Sequence, residues 1–223
     1  MDSIHVGRAL DESLSLLAAP AGAAWDAATG TITRARPADG ADRDAVFDED
    51  QRTDAAWTVP AGVLEWTCLR TAEHIAHDLT AYATQLAGAD PAGYLPLDLL
   101  VRPGTHPRDV LRIVAACARL LRLELDAAGP DARAWHWGPA DRTGFAAMAV
   151  DEILVHTWDI AQGLGLAWTP PAELSAAVLA RLFAHDVPPG ADPEPGRTLL
   201  WATGRIALPG HARRAGWTVR AAV

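Results

Sequence analysis

The chain has 223 residues and a mass of 23.6 kDa, a length suited to one large domain or a domain with a small appendage. Half of its residues are hydrophobic and alanine dominates, a composition that favours helices over strands. The formal net charge of −9 and pI near 5.3 provide no basic field for phosphates, which argues against a nucleic-acid partner.

In chain order, apolar residues at helical spacing (Leu10, Leu14, Leu17) predict a first helical stretch from about Ser3 to Ala28, weakened midway by Pro20 and Gly22. From Gly30 to Pro60 the chain is rich in Asp, Gly, Pro and Arg and reads as a long exposed loop. A second helix is expected from about Ala61 to Ala87, with Leu64, Cys68, Thr71, Ile75, Leu79, Tyr82 and Leu86 on one face. A third covers about Pro107 to Ala128. The fourth spans about Pro139 to Leu164 and stops at Gly163 and Gly165, and the fifth follows Pro170 and Pro171. The segments TLLWAT, GRIALPG and GWTVRAAV read as short strands.

The expected fold is therefore mainly α. Residues 1–187 form a helical bundle with a fifth helix, and residues 188–223 form a short β-containing C-terminal extension, with the Pro/Gly-rich stretch from Pro188 to Gly196 as the boundary. No stretch approaches the roughly 18 apolar residues of a membrane span, and the N-terminus lacks a charged region leading into an apolar one, so a cytoplasmic protein is expected. Cys68 and Cys117 have neither metal-type nor disulfide-type spacing and are read as packed, reduced thiols. Nothing in the sequence decides between a monomer and a homodimer.

The segment AMAVDEILVHTWDIAQGLGL carries the chemistry. At roughly 100° per residue, Glu152, His156 and Asp159 project onto one face of the fourth helix, flanked by apolar residues that mark that face as buried. A buried unpaired carboxylate costs several kcal/mol, so Glu152 needs a partner: either a satisfied core Glu/His pair or a metal ion. A metal would need a further ligand from another helix. The second helix offers Glu73, His74, His77 and Asp78. There, His74 lies about a quarter turn from the apolar centre and can reach inward, whereas His77 falls opposite and reads as a solvated i,i+4 pair with Glu73.

Two imidazoles and one carboxylate leave positions open for water or substrate and suit Zn²⁺ as well as Fe²⁺, Ni²⁺ or Mn²⁺. Asp159 is placed to orient an imidazole. His5, His106, His136, His185 and His211 read as structural or solvated, although Trp135 and Trp137 beside His136 are candidates for a pocket mouth. No phosphate loop, serine-hydrolase elbow or reactive-cysteine context is present.

Two motifs, Trp66-Thr67-x5-Glu73-His74 and Glu152-x3-His156-x2-Asp159, resemble those of the mycothiol-dependent maleylpyruvate isomerase family, a branch of the DinB-like four-helix bundles. The tail, LLWATGRIALPGH with GWTVR, is similar to the ends of actinobacterial members. The resemblance spans about Trp57 to Trp217. It implies a divalent metal, usually zinc, held by His74, Glu152 and His156, with mycothiol as the thiol co-substrate.

On this reading the chain is a metal-dependent isomerase or S-transferase acting on a small electrophile, and Arg205 and Arg213 are candidate anchors for a substrate anion. The alternatives are a hydrolase using metal-bound water and a non-catalytic binding protein of the same fold.

Overall fold

In the structure, a computed structural model, residues 1–35, 43–187 and 194–222 are described, 43–49 by backbone alone. Four long helices make the bundle: α1 (Ser3–Leu17), α3 (Cys68–Gly88), α4 (Pro107–Ala127) and α5 (Arg142–Gly163). Helix α3 packs on α4 and α5, and α1 packs on the same two. Helix α5 is the central member. It is buried on nearly every side from Gly144 to Ala161, as expected of a helix that is hydrophobic all round.

Local chemistry sets the ends of these helices. The Asp2 carboxylate accepts from the amides of Ile4 and His5 at the start of α1, Thr67 Oγ1 accepts from Arg70 N at the start of α3, and Asp141 accepts from Gly144 N at the start of α5. Each satisfies amides that have no partner within the helix. Pro107 opens α4, where a missing N–H costs nothing. At the far end of α5, a Cβ on Gly163 would lie 2.5 Å from both Cys68 Sγ and Pro60 O. Only glycine lets the 60s segment and the start of α3 approach α5 so closely.

The first predicted helix ends early. After Leu17 a 3₁₀ turn (Ala19–Ala21) leads through Gly22 into an antiparallel hairpin of β1 (Ala23–Asp26) and β2 (Thr31–Arg34). Pro20 and Gly22 break the helix rather than merely weaken it. The predicted loop from Gly30 to Pro60 contains β2 and a helix, α2 (Arg43–Ala56), of which residues 36–42 before it are not described.

A second small hairpin, β3 (Arg133–Trp135) with β4 (Pro139–Asp141), leads directly into α5. Helix α6 (Ala172–Leu182) packs on α5 and on α7 (Pro195–Ala202). The TLLWAT segment, predicted as a strand, is therefore helical. Four consecutive buried apolar residues, Leu199 to Ala202, do not distinguish the two periodicities. Residues 188–193, where the sequence places the domain boundary, lie outside the described residues.

From Thr203 the tail returns to the bundle. A left-handed turn at Gly204 (φ 71°) reverses the chain, and the Arg205 amide donates to Leu200 O at 2.7 Å. Arg181 on α6 then clasps the tail, donating to the carbonyls of Arg220 at 3.2 Å and Ala221 at 2.7 Å and to the Asp141 carboxylate at 3.0 Å. The predicted strands in the tail reduce to isolated bridges, Leu208 with His211 and Ala222 with Ala140.

Candidate metal centre

Helix α5 presents Glu152 and His156 one turn apart, with Glu152 Oε2 3.1 Å from His156 Nε2. From α3, His74 Nε2 comes within 3.6 Å of the same oxygen. One ligand atom from each of the three residues lies within 4.8 Å of the others. Trp66 covers the group, its ring 4.8 Å from that of His74 and 6.5 Å from that of His156.

Glu152 Oε2 is buried and no hydrogen bond is directed at it. A buried carboxylate oxygen without a donor costs on the order of 1–3 kcal/mol or more. A cation between the three groups would remove that cost, and the donor set, two imidazoles and a carboxylate, is one that divalent zinc accepts. The residues present thus fit the metal that the resemblance implies.

The electrostatics are uneven across the cluster. Burial pushes the His74 imidazole down to about 4, so it is neutral and has a lone pair to donate. His156 goes the other way, to about 9: burial opposes its charge, but contacts with Asp159 and Glu152 prevail. Burial also works to raise Glu152, yet the neighbouring His156 and His74 hold its carboxyl below the usual range. Asp78, whose Oδ2 is 3.4 Å from His74 Nε2, is pushed up to about 6 by burial and by the charge of Glu152.

Asp159 lies behind His156, with its Oδ2 3.0 Å from His156 Nδ1. The same carboxylate receives Arg205 through Nε at 3.3 Å and Nη2 at 2.9 Å, and all three side chains are buried. Arg205 Nη1 also donates to Thr203 O at 2.8 Å, and its guanidinium stands 5.5 Å from the Trp217 ring. The sequence suggested Arg205 as an anion anchor. The structure shows its guanidinium already holding an internal anion, Asp159. Sequence reasoning missed this pairing because the two residues are far apart in the chain and Arg205 follows a turn whose direction no periodicity reveals.

Arg213 is exposed, and its Nε donates to Gly204 O at 2.5 Å. Arg213 lines a cavity of about 390 Å³ together with Arg205, Arg214, Trp66 and the three clustered residues. Arg214 is held by Ala202 O at 3.2 Å and by Asp186 at 3.3 Å.

His77 does not pair with Glu73 as predicted. Its ring nitrogens face Asp78 Oδ1 at 2.9 Å and Asp98 Oδ1 at 3.3 Å, while Glu73 meets Arg70 at 3.2 Å. Both cysteines are buried free thiols, and burial pushes Cys68 up to about 11, far from reactive. Trp137 and His136 line a cavity beside the cluster.

The fold and the cluster together define a helical bundle with a half-buried His/Glu/His group open to a basic cavity. The family model described as the mycothiol maleylpyruvate isomerase N-terminal domain matches residues 48–161, just over half of the chain, and the chain belongs to that family. The matched segment contains His74, Glu152, His156 and Asp159 but not Arg205 or Arg213. The family's name ties it to mycothiol and to isomerisation. No curated protein and no solved structure matches the chain. Among the described residues, no helix is long and apolar enough to cross a membrane.

Proposed function

We propose that this protein is a metal-dependent isomerase or S-transferase that uses a low-molecular-weight thiol of the mycothiol type on a small electrophile. The observation that carries the reading is the convergence of His74, Glu152 and His156 on one buried carboxylate oxygen, 3.6 and 3.1 Å from the two imidazole nitrogens, in the lining of an open cavity. His74, Glu152 and His156 would hold a divalent ion, zinc being the natural choice and Fe²⁺, Ni²⁺ or Mn²⁺ being compatible. When bound, such an ion favours the thiolate form of a thiol at neutral pH.

The chain's own residues supply the rest. Asp159 accepts a hydrogen bond from His156 Nδ1, which fixes the ring so that Nε2 faces Glu152 and His74. Arg205 donates to Asp159 Oδ2 through Nη2 at 2.9 Å and holds that carboxylate in place. Trp66 packs its ring 4.8 Å from that of His74 and covers one side of the cluster. Arg213, exposed and among the residues that line the cavity, is the candidate partner for the carboxylate of an incoming acid.

Zinc-loaded protein incubated with mycothiol and a panel of electrophilic unsaturated acids and epoxides tests the proposal. A thiol adduct or an isomerised acid is expected, and neither forming while metal is bound would overturn it. Turnover of the same panel without any thiol would instead assign the hydrolytic alternative.

A further inference from the structure

Helix α4 carries two apolar stripes. One faces the bundle, where Val110, Leu111, Val114, Ala118, Leu121 and Leu125 are all buried. The second lies on the opposite side: Ile113, Ala116, Leu120, Leu123 and Ala127 follow one another at intervals of three, four, three and four residues. Leu120 is 57% and Leu123 59% exposed, Ala116 and Ala127 are exposed, and only Ile113 is half-buried. A helix packed on one side of a bundle normally turns a polar face to water. This one turns outward the alternating spacing with which one helix packs along another.

The neighbours of α4 leave that seam open. Helices α1 and α3 and strand β2 pack against α4, yet both leucines keep more than half of their surface in water. Ile4 on α1, 64% exposed, lines one groove with Leu123 and widens the apolar area.

The charges beside the seam determine what can cover it. Arg119 and Asp126 stand two helical turns apart on one flank, each one residue before a seam position. Among the described residues Arg119 has no hydrogen-bond or ion-pair partner. Asp126 accepts from Ser3 Oγ at 2.5 Å through Oδ1, which leaves Oδ2 for another donor.

These positions match a second copy of the same face. When two such helices lie antiparallel, Leu120 falls beside the partner's Leu123 and Ala116 beside the partner's Ala127, and the same register sets Arg119 opposite the partner's Asp126. Two-fold symmetry forms each contact twice. The leucines then close a small apolar centre between alanine layers whose short side chains let the helices approach. Opposed helix dipoles favour the antiparallel direction over the parallel one.

We propose that the outer face of α4 is the surface through which two copies of this chain associate, antiparallel, α4 against α4. With two exposed leucines per copy at its centre, the contact is smaller than an obligate interface and the dimer is reversible. His74, Glu152 and His156 lie on α3 and α5, so the inference does not rest on the function proposed above.

Sedimentation equilibrium of the full chain tests it. The mass should rise with concentration from 23.6 kDa toward twice that value, and a contact of this size should populate the dimer by roughly 0.2 mM. Leu120→Lys together with Leu123→Lys sets like charges across the seam and should weaken association by at least about 100-fold. Both side chains are at the surface, so helical content by circular dichroism should be unchanged. Arg119→Glu should weaken association by about tenfold, and adding Asp126→Arg should restore it. A protein that stays at 23.6 kDa throughout, or a dimer that survives the double lysine variant, would overturn the inference. Failure of the exchanged charge pair to restore association would overturn the antiparallel arrangement.

Discussion

At the residue scale, Asp159 serves two neighbours at once. It faces His156 on one side and neutralises buried Arg205 on the other. Asp159→Asn would leave Arg205 as an uncompensated buried charge and is expected to destabilise the protein by about 3–5 kcal/mol in urea unfolding. In whatever fraction remains folded, zinc affinity should fall about 10–100-fold by competition with a chelator. His74→Ala and Glu152→Ala should each lose most of the bound metal in elemental analysis, with helical content preserved by circular dichroism. Retention of metal in both would remove the cluster from consideration.

The polar face of α5 was legible because helical geometry fixes Glu152, His156 and Asp159 relative to one another whatever surrounds them. His77 was misassigned for the opposite reason: its partner Asp98 sits on a connection between helices, where no repeat tells which way a side chain will turn.

At the element scale, the start of α5 is set by Asp141, which caps Gly144 N at 2.7 Å and meets Arg181 at 3.0 Å. Burial works to raise this carboxyl, but the hydrogen bonds from Gly144, Arg181 and Thr143 prevail and hold it below its ordinary value. A depressed folded-state pKa means that the stabilisation is fully present above the unfolded value and is lost as the pH falls through the folded one.

Asp141→Ala is therefore expected to cost about 1–2 kcal/mol at neutral pH. The difference from wild type should shrink as the pH drops below about 4, the ordinary carboxylate range. Urea unfolding at pH 7, 5 and 3 would show it; a pH-independent difference would contradict the assignment. At the other end, Gly163→Ala would force a methyl against Cys68 Sγ and Pro60 O, at a cost of about 1–3 kcal/mol.

Two helices went unread in the sequence because neither carries a long apolar repeat: one is mostly polar and the other spans only eight residues. Helix α2 is almost entirely charged and small residues, so no apolar periodicity announces it. Helix α7 shows only a short apolar run, although Pro195 at its first turn is a start signal that could have revealed it.

At the scale of the whole molecule, the long helices with clear apolar stripes gave the bundle, but the return of the tail was not encoded in any local pattern. It depends on Arg181 reaching backbone carbonyls of residues near the end of the chain and on Trp217 lying between Phe183 and Arg205. Arg181→Gln should loosen the tail and lower stability by about 1–2 kcal/mol, since bonds from a charged donor are lost together. Faster amide hydrogen exchange at residues 217–222 would accompany the change, with α3 and α4 unaffected. Equal protection along the tail would show that Arg181 is not its clasp.

The bridge from His156 through Asp159 to Arg205 also crosses a border. Its first two members lie within the segment shared with the family and the third lies beyond it. The segment that matches the family model thus does not hold the whole bridge: any recombination that exchanges the downstream half must bring a guanidinium back to the same place. Chimeras between this protein and its relatives should sort into viable and inviable by that one inherited group, whatever else their tails contain.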